Sequence, residues 1–269
     1  SNLKEWRRSG VGDRAKLQEN AFTAAEWNIE TGAKGVLRSR LPRMGKPLGE
    51  IAHLFVGLQT SADRVYVLPD RQGLEQGILK PFLTTGGLHR YAPAKRNAWL
   101  VFPYNFASGK AELMDSNEIK TKYPRAWNYL SEHRDALMDR DNGKMRGEGW
   151  HGYVYPKNLC AMEDPKLIIQ VTSKEPTVIL DENGLYMTGG GAGPFYGIRP
   201  FPSEEIGLKF LLGILNSKVF GWIVRTQSTP LRGGYFKYSK QYIETTPIPQ
   251  SDKAAQDRIV KLVEQMLEL

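Results

Sequence analysis

Apolar and polar positions along the chain switch between helical and strand-like spacing every ten or so residues, which outlines many short elements. Leu48, Ile51, Ala52 and Phe55 recur at steps of three and four, the spacing of one helix face. Val56 to Thr60 then leads through a polar turn to Val65-Tyr66-Val67-Leu68, a strand-like run. Lys80-Pro81-Phe82-Leu83 precedes Gly86-Gly87, and Trp99-Leu100-Val101-Phe102 reads as a buried strand ended by Pro103. The strongest helix opens at Pro124, a good first-turn residue. It carries Trp127, Leu130, Leu137 and Met138 on one apolar stripe with Arg134 at its edge, and stops before Asn142-Gly143.

Leu167 to Val171 and Thr177 to Leu180 are β-branched runs. Asn183-Gly184, between the second of these and Leu185 to Met187, predicts a hairpin because both turn positions tolerate positive φ. Ser203 is placed to cap a helix carrying Ile206, Phe210, Leu211, Ile214 and Leu215, with Glu204-Glu205 in its first turn; Asn216-Ser217 ends it. A polar, glycine-rich loop from Thr226 to Gly234 leads to Tyr235-Phe236-Lys237-Tyr238. Pro247-Ile248-Pro249 is extended by constraint. Ser251 opens the last helix, whose Ile259, Leu262, Val263, Met266 and Leu267 form a seam suited to a partner helix.

Ahead of Leu48 the pattern is weak: Trp6, Phe22 and Trp27 stand as isolated anchors, and a short helix carries Val36, Leu37 and Leu41. The division expected is a connecting arm over 1–47, a globular domain over 48–250 and a helix over 251–269. The fold class is mixed α+β, with short twisted, largely antiparallel sheets, peripheral helices and a C-terminal helix. With 269 residues, 41% of them hydrophobic, the chain can bury one sizeable core. Its 27 glycines and 16 prolines agree with many turns, and a single cysteine, Cys160, excludes an intrachain disulfide. No uninterrupted apolar run is long enough for a membrane span, so no membrane partner is expected. The chain opens at Ser1-Asn2 and stops within a periodic helix, so it reads as a piece of a longer protein.

No catalytic motif emerges. The glycine run from Gly189 to Gly193 lacks the spacing of a dinucleotide fingerprint, and a loop is the expectation. His53, His89, His133, His151 and Cys160 form no ligand pair at metal-site spacing. Asp70 with Glu118-Ile119-Lys120 matches a metal-dependent nuclease pattern in letters, yet no strand pattern surrounds Glu118. Phe102-Pro103-Tyr104 echoes the end of the Asn-Pro-Pro-Tyr motif of amino-methylating enzymes, without the residues that grip the amine.

Charge is more informative. The net charge is +8, and basic residues gather with aromatics at predicted loops: Arg90-Tyr91 with Lys95-Arg96; Lys144, Arg146, Trp150 and His151; Lys157 with Lys166 and Lys174; and Arg225, Arg232, Tyr235 and Lys237. Such loops can neutralise phosphates while Arg, Gln and Asn reach base edges, which points to a polyanion partner.

Taken in order, these segments resemble the TaqI-like C-terminal specificity domain, the target-recognition part of many N6-adenine DNA methyltransferases. The resemblance runs from Trp27 through Leu48 to Ala52, Val56 to Tyr66, Lys80 to Leu83, Arg90-Tyr91, Trp99 to Tyr104 and Tyr123 to Leu130. It continues through Asp164 to Gln170, Asp181 to Tyr186, Leu212 to Lys218, Gly233 to Lys240 and Thr246 to Pro249. The tail from Pro247 through Leu262 is also similar to recognition domains of type I restriction specificity subunits.

The resemblance implies a cytoplasmic, sequence-specific reader of double-stranded DNA. It would position an adenine for an N-terminal methyltransferase domain of the same chain, which would hold S-adenosylmethionine. No catalytic residue, cofactor or metal is expected in this segment. Phosphate contact is expected from Lys80, Arg90, Lys157, Lys166 and Lys237. Base reading or groove insertion is expected from Gln59, Thr60, Lys144, Arg146, Trp150, Lys174, Arg225, Arg232 and Tyr235. The alternatives are a protein-interaction module acting through the final helix, and a Mg-dependent nuclease using Asp70 and Glu118.

Overall fold

The computed structural model describes residues 40–84, 88–107, 109–189 and 195–269. Trp6, Phe22, Trp27, Val36, Leu37, Gly86-Gly87 and most of the glycine run lie outside them. The described residues fall into two units, one of 40–46 with Pro247–Gln250 and one of Pro47–Thr246 with Ser251–Leu269. In the smaller unit one stretch donates backbone bonds to the other: the Ile248 amide to Lys46 O at 2.9 Å, and the Gln250 amide to Met44 O at 2.9 Å. Gly45 is required there, since a Cβ would meet Ile248 O at 1.8 Å.

The larger unit holds thirteen strands among its described residues: β1 (Ala52–Val56), β2 (Val67–Leu68), β3 (Leu79–Leu83), β4 (Ala98–Val101), β5 (Tyr104–Ala107), β6 (Lys110–Leu113), β7 (Lys166–Gln170), β8 (Thr172–Ser173), β9 (Val178–Asp181), β10 (Tyr186–Met187), β11 (Phe195–Pro200), β12 (Pro230–Leu231) and β13 (Tyr235–Lys237). They make four sheets, ordered β1-β11-β7-β9, β10-β3-β4-β2, β12-β13-β8 and β5-β6. Every pairing is antiparallel except β10 with β3. The expected mixed α+β class with short, largely antiparallel sheets is what forms.

Apolar residues and buried tyrosines fill the core. Tyr66, Phe102, Tyr104, Tyr153 and Tyr186 interlock with neighbouring rings 5.0–6.4 Å apart. Their hydroxyls are satisfied: Tyr66 donates to His151 O at 2.9 Å, and Tyr153 to Val101 O at 2.6 Å. Such partners are what make a buried phenol tolerable.

Several predicted elements are replaced by others. The helical spacing from Leu48 gives one turn, Leu48–Ile51, before β1 takes over. All five residues of β1 pair with β11, and Gly197 leaves room for the Phe55 ring, which a Cβ would approach to 2.3 Å. The predicted strand from Val65 is instead a helical turn, Asp63–Tyr66, ahead of β2. The predicted helix from Pro124 breaks at His133 into Pro124–Glu132 and Arg134–Met138.

Asn183-Gly184 makes no hairpin, because β9 pairs with β7 while β10 joins β3 in another sheet. The Asp181 carboxylate holds this turn by accepting the Asn183 amide at 3.0 Å and the Leu185 amide at 2.8 Å. Ser203 does not cap the following helix, which spans Leu208–Leu215 from Gly207. Ser217 instead starts a second helix, Lys218–Gln227, its Oγ accepting the Phe220 amide at 3.1 Å.

The final helix, Lys253–Leu267, is capped by Asp252 and not by Ser251. It packs on Leu208–Leu215 through Ile259 and Val263 over Gly213. Leu262 and Met266, on the predicted seam, remain 61% and 44% exposed. No helix of the described residues is long and apolar enough to cross a membrane.

Candidate nucleic-acid interface

Strand directions in the central sheet decide which loops can act together. β1 and β7 both run antiparallel to β11 and therefore parallel to each other. Val56, Phe195, Gln170 and Val178 share one end of the sheet; Ala52, Pro200, Lys166 and Asp181 share the other. The segment after β1 carries Gln59, and the segment after β7 carries β8 and Lys174, so both leave from the Val56 end. Their roots are two strand spacings apart, about 10 Å.

At that end the β12-β13-β8 sheet forms a ribbon. Phe236 and Lys237 of β13 pair with Ser173 and Thr172 of β8. Ser228 Oγ donates to Lys237 O at 2.9 Å and accepts the Lys237 amide at 3.2 Å, which clasps the base of the β12–β13 hairpin. Arg225 lies under the ribbon with its guanidinium 5.7 Å from the Phe236 ring and its Nε–H on Gly221 O at 3.0 Å. Lys174 Nζ is 5.5 Å from the Tyr235 ring. Five of the predicted contact residues, Lys174, Arg225, Arg232, Tyr235 and Lys237, thus gather around one small sheet. Beneath them the Tyr238 hydroxyl has no partner among the described residues, and burial pushes its pKa up to about 12.

A second group is built on Tyr155, which bridges to Gln59. Lys144 and Lys157 hold their ammonium groups 5.1 and 5.9 Å from the Tyr155 ring, and its hydroxyl donates to Asp141 at 3.2 Å. Gln59 is exposed, its amide donating to Gly189 O at 3.2 Å. Backbone strain concentrates around this group: Ser61, Asp141, Asn142 and Asn158 all have φ between 52° and 60°. Each left-handed residue other than glycine costs on the order of 1 kcal/mol, and such residues cluster at functional sites. Arg140 ties the loops together, donating to Thr60 O, Trp150 O and Gly152 O at 2.7–2.8 Å.

Other predicted contacts lie elsewhere. Thr60 is fully buried; its hydroxyl donates to Asp63 at 2.5 Å and accepts the Ala62 amide at 2.9 Å, so it shapes the turn beside Gln59 and faces no groove. Trp150 is a core residue, 3% exposed and packed on Trp127. Lys166 is wholly buried at the Ala52 end, bonded to Met162 O at 2.6 Å and paired with Asp181. Burial lowers its pKa against the opposing pull of Asp181.

Lys80 pairs with Glu163 at 2.9 Å, close to that same end, among the rings of Phe102, Phe106 and Tyr186. Arg90 is at the Val56 end but bonded to Glu175 at 3.1 Å, and Arg146 pairs with Asp139 at 3.0 Å on an exposed rim. Tyr155 and Asn158, whose amide donates to Val56 O at 3.1 Å, were not singled out in the sequence. The visible signal was an aromatic residue directly before Pro156-Lys157.

The nuclease alternative finds no support in geometry. Asp70 accepts the Gln72 amide at 2.8 Å, while Glu118 is held by Asn105 and Lys122, both at 2.7 Å. Among the described residues no three His, Cys, Asp or Glu side chains converge as a metal site would require. Gly57 and Gly189 lie against each other, a Cβ on Gly189 meeting Gly57 O at 2.0 Å. Their missing side chains permit a backbone crossing.

The sequence pattern of the TaqI-like C-terminal specificity domain matches residues 112–248. The type II methyltransferase M.BanIII of Aneurinibacillus aneurinilyticus is 25% identical over 228 residues, covering 81% of this chain and 38% of that protein. The type II restriction enzyme and methyltransferase RM.Eco57I of Escherichia coli is 21% identical over 264 residues, covering 87% of this chain and 26% of that protein. The crystal structure of the HsdS subunit from Thermoanaerobacter tengcongensis aligns with 87% of this chain and 43% of that one, at a TM-score of 0.39 and 14% identity. The chain spans less than half the length of each.

Proposed function

This chain belongs to the TaqI-like C-terminal specificity domain family, and on that footing we propose that the Val56 end of its central sheet reads a short word of duplex DNA for a restriction–modification methyltransferase. The observation that carries this reading is the gathering of unpaired cations at one sheet end. Lys157, Lys174, Arg232 and Lys237 are exposed, and among the described residues none has a carboxylate partner. Duplex DNA presents one phosphate charge per ~1.7 Å of helix axis, so each such cation can displace a condensed counterion.

The division of labour follows from what each group can do. Lys144, Lys157, Lys174 and Lys237 carry point charges on flexible stems and hold phosphates, fixing register. Gln59 and Arg232 offer directional hydrogen bonds suited to base edges. The methyl donor, S-adenosylmethionine, and the target adenine would be held by an N-terminal catalytic part of the same longer protein, working in the cytoplasm. The double designation of RM.Eco57I supports extending the proposal to a parent that cuts as well as methylates.

Fluorescence anisotropy with a labelled duplex tests the reading. Lys157→Glu combined with Lys237→Glu should weaken binding at least tenfold at constant melting temperature. Arg199→Gln, at the Ala52 end where Arg199 pairs with Asp164 at 2.7 Å, should leave affinity unchanged. Equal effects from both would place the duplex elsewhere.

A further inference from the structure

The β12–β13 hairpin has features that a merely structural turn would not need. Leu231 and Tyr235 stand directly opposite each other, and only Arg232, Gly233 and Gly234 separate them. Gly233 and Gly234 have φ of 81° and 79°, so both positions demand glycine, and Arg232 is the sole side chain the loop presents beyond the last pair. Arg232 is exposed and, among the described residues, has neither an ion pair nor an aromatic ring beneath it, unlike Arg225 and Lys174 lower on the ribbon.

Leu231 and Tyr235, each 41% exposed, put an apolar pair on one face of the tip. Pro230 removes a backbone donor from the free edge of β12, which discourages pairing with a further strand. The Ser228–Lys237 clasp and the pairing with β8 fix the base, so the tip is presented by a rigid mount.

We propose that this hairpin enters the major groove as a two-stranded ribbon and that Arg232 selects one guanine, an inference that rests on the duplex-reading role above and assigns its chemistry. Width decides the groove: a ribbon with its side chains fits the major groove, about 12 Å wide, and not the minor groove, about 6 Å wide. Chemistry decides the base. A guanidinium is a fork of donors with no acceptor, and in the major groove only guanine presents two adjacent acceptors, O6 and N7. Leu231 and Tyr235 then face the sugar edges or the methyl of a neighbouring thymine, contacts that need no hydrogen bond.

The test selects duplexes from a random pool with the chain and with Arg232→Ala, then measures affinity for the chosen word carrying base analogues. The chain should select a word with one dominant guanine. 7-Deazaguanine there, which lacks N7, should weaken binding about 5- to 100-fold, the range expected for one bidentate contact. Hypoxanthine there, which lacks only the minor-groove amino group, should change little. Arg232→Ala should lose the preference at that position, keep the others, and become insensitive to 7-deazaguanine.

A guanine preference untouched by Arg232→Ala, or a word that responds to hypoxanthine and not to 7-deazaguanine, overturns the ribbon assignment while duplex binding itself stands. No duplex binding by the unaltered chain, even at low salt, overturns the duplex-reading role and this inference together.

Discussion

Depth determines what a charged residue does here, and Lys166 shows it. In the sequence it sits among other lysines as an apparent phosphate ligand, yet its side chain is wholly inside, saturated by Met162 O and Asp181. Lys166→Met would leave the Asp181 carboxylate buried with only the two turn amides, a loss of about 3–5 kcal/mol. A melting temperature lower by on the order of 10 °C is expected, read by differential scanning fluorimetry. His151 supplies a pH-dependent counterpart. Its Nε2–H donates to Met114 O at 2.8 Å, while Nδ1 is buried with no partner among the described residues.

Burial lowers the His151 pKa more than the Met114 bond and the Asp115 charge raise it. The unfolded chain therefore takes up the proton first, and stability is lost as pH falls below about 6.5. His53 is shifted the same way, by burial and then by Lys240, so the difference between the native chain and His151→Gln isolates the His151 contribution. Melting curves between pH 7.5 and 5.5 should fall less steeply for the variant; parallel curves would assign the slope to other groups.

At the scale of elements, local signals were readable wherever local chemistry settles the outcome. Pro124 opens its helix, Trp99 lies in a buried strand ended before Pro103, and Leu167 to Gln170 form a central strand as their β-branching suggests. Partner choice was not readable. Asn183-Gly184 has the letters of a hairpin, but the Asp181 carboxylate uses the turn to send the chain into a different sheet. Ser203 is the cap the sequence suggests, while Asn216-Ser217 reads there only as a helix end. Burial of Phe210, Leu211, Leu212 and Leu215 fixes the helix between them, and only Ser217 then meets a free amide.

The candidate site was readable by the same division: Arg225, Arg232, Tyr235 and Lys237 lie close in sequence, whereas Lys174 joins them only through the β8–β13 pairing and Tyr155 joins Gln59 only through the fold. Gly213 marks the closest helix contact, a Cβ there lying 2.8 Å from Ile259 Cγ2 and 3.0 Å from Val263 Cγ2. Gly213→Leu should push the final helix off its seat and lower the melting temperature. Limited proteolysis should then release the segment after Gln250 before the rest of the chain is cut.

For the whole molecule, the arrangement separates stability from recognition. Lys166, Thr60, Trp150 and Arg140 hold the body together from inside, while Lys144, Lys157, Lys174 and Lys237 contribute charge at one end of the sheet and little packing. Exposed lysines contribute within about 0.5 kcal/mol to folding, so removing all four should barely move the melting temperature. Lys157, Lys174 and Lys237 should each account for nearly one released counterion and Lys144, paired with Asp141 at 3.5 Å, for less, so the quadruple alanine variant should flatten the plot of log affinity against log salt by about three units. Lys166→Met, measured well below its own melting point, should shift stability and leave that slope alone. If the quadruple variant kept the native slope, the phosphates would have to lie against the Arg199 and Lys80 end, and the loops after β1 and β7 would lose their assigned role.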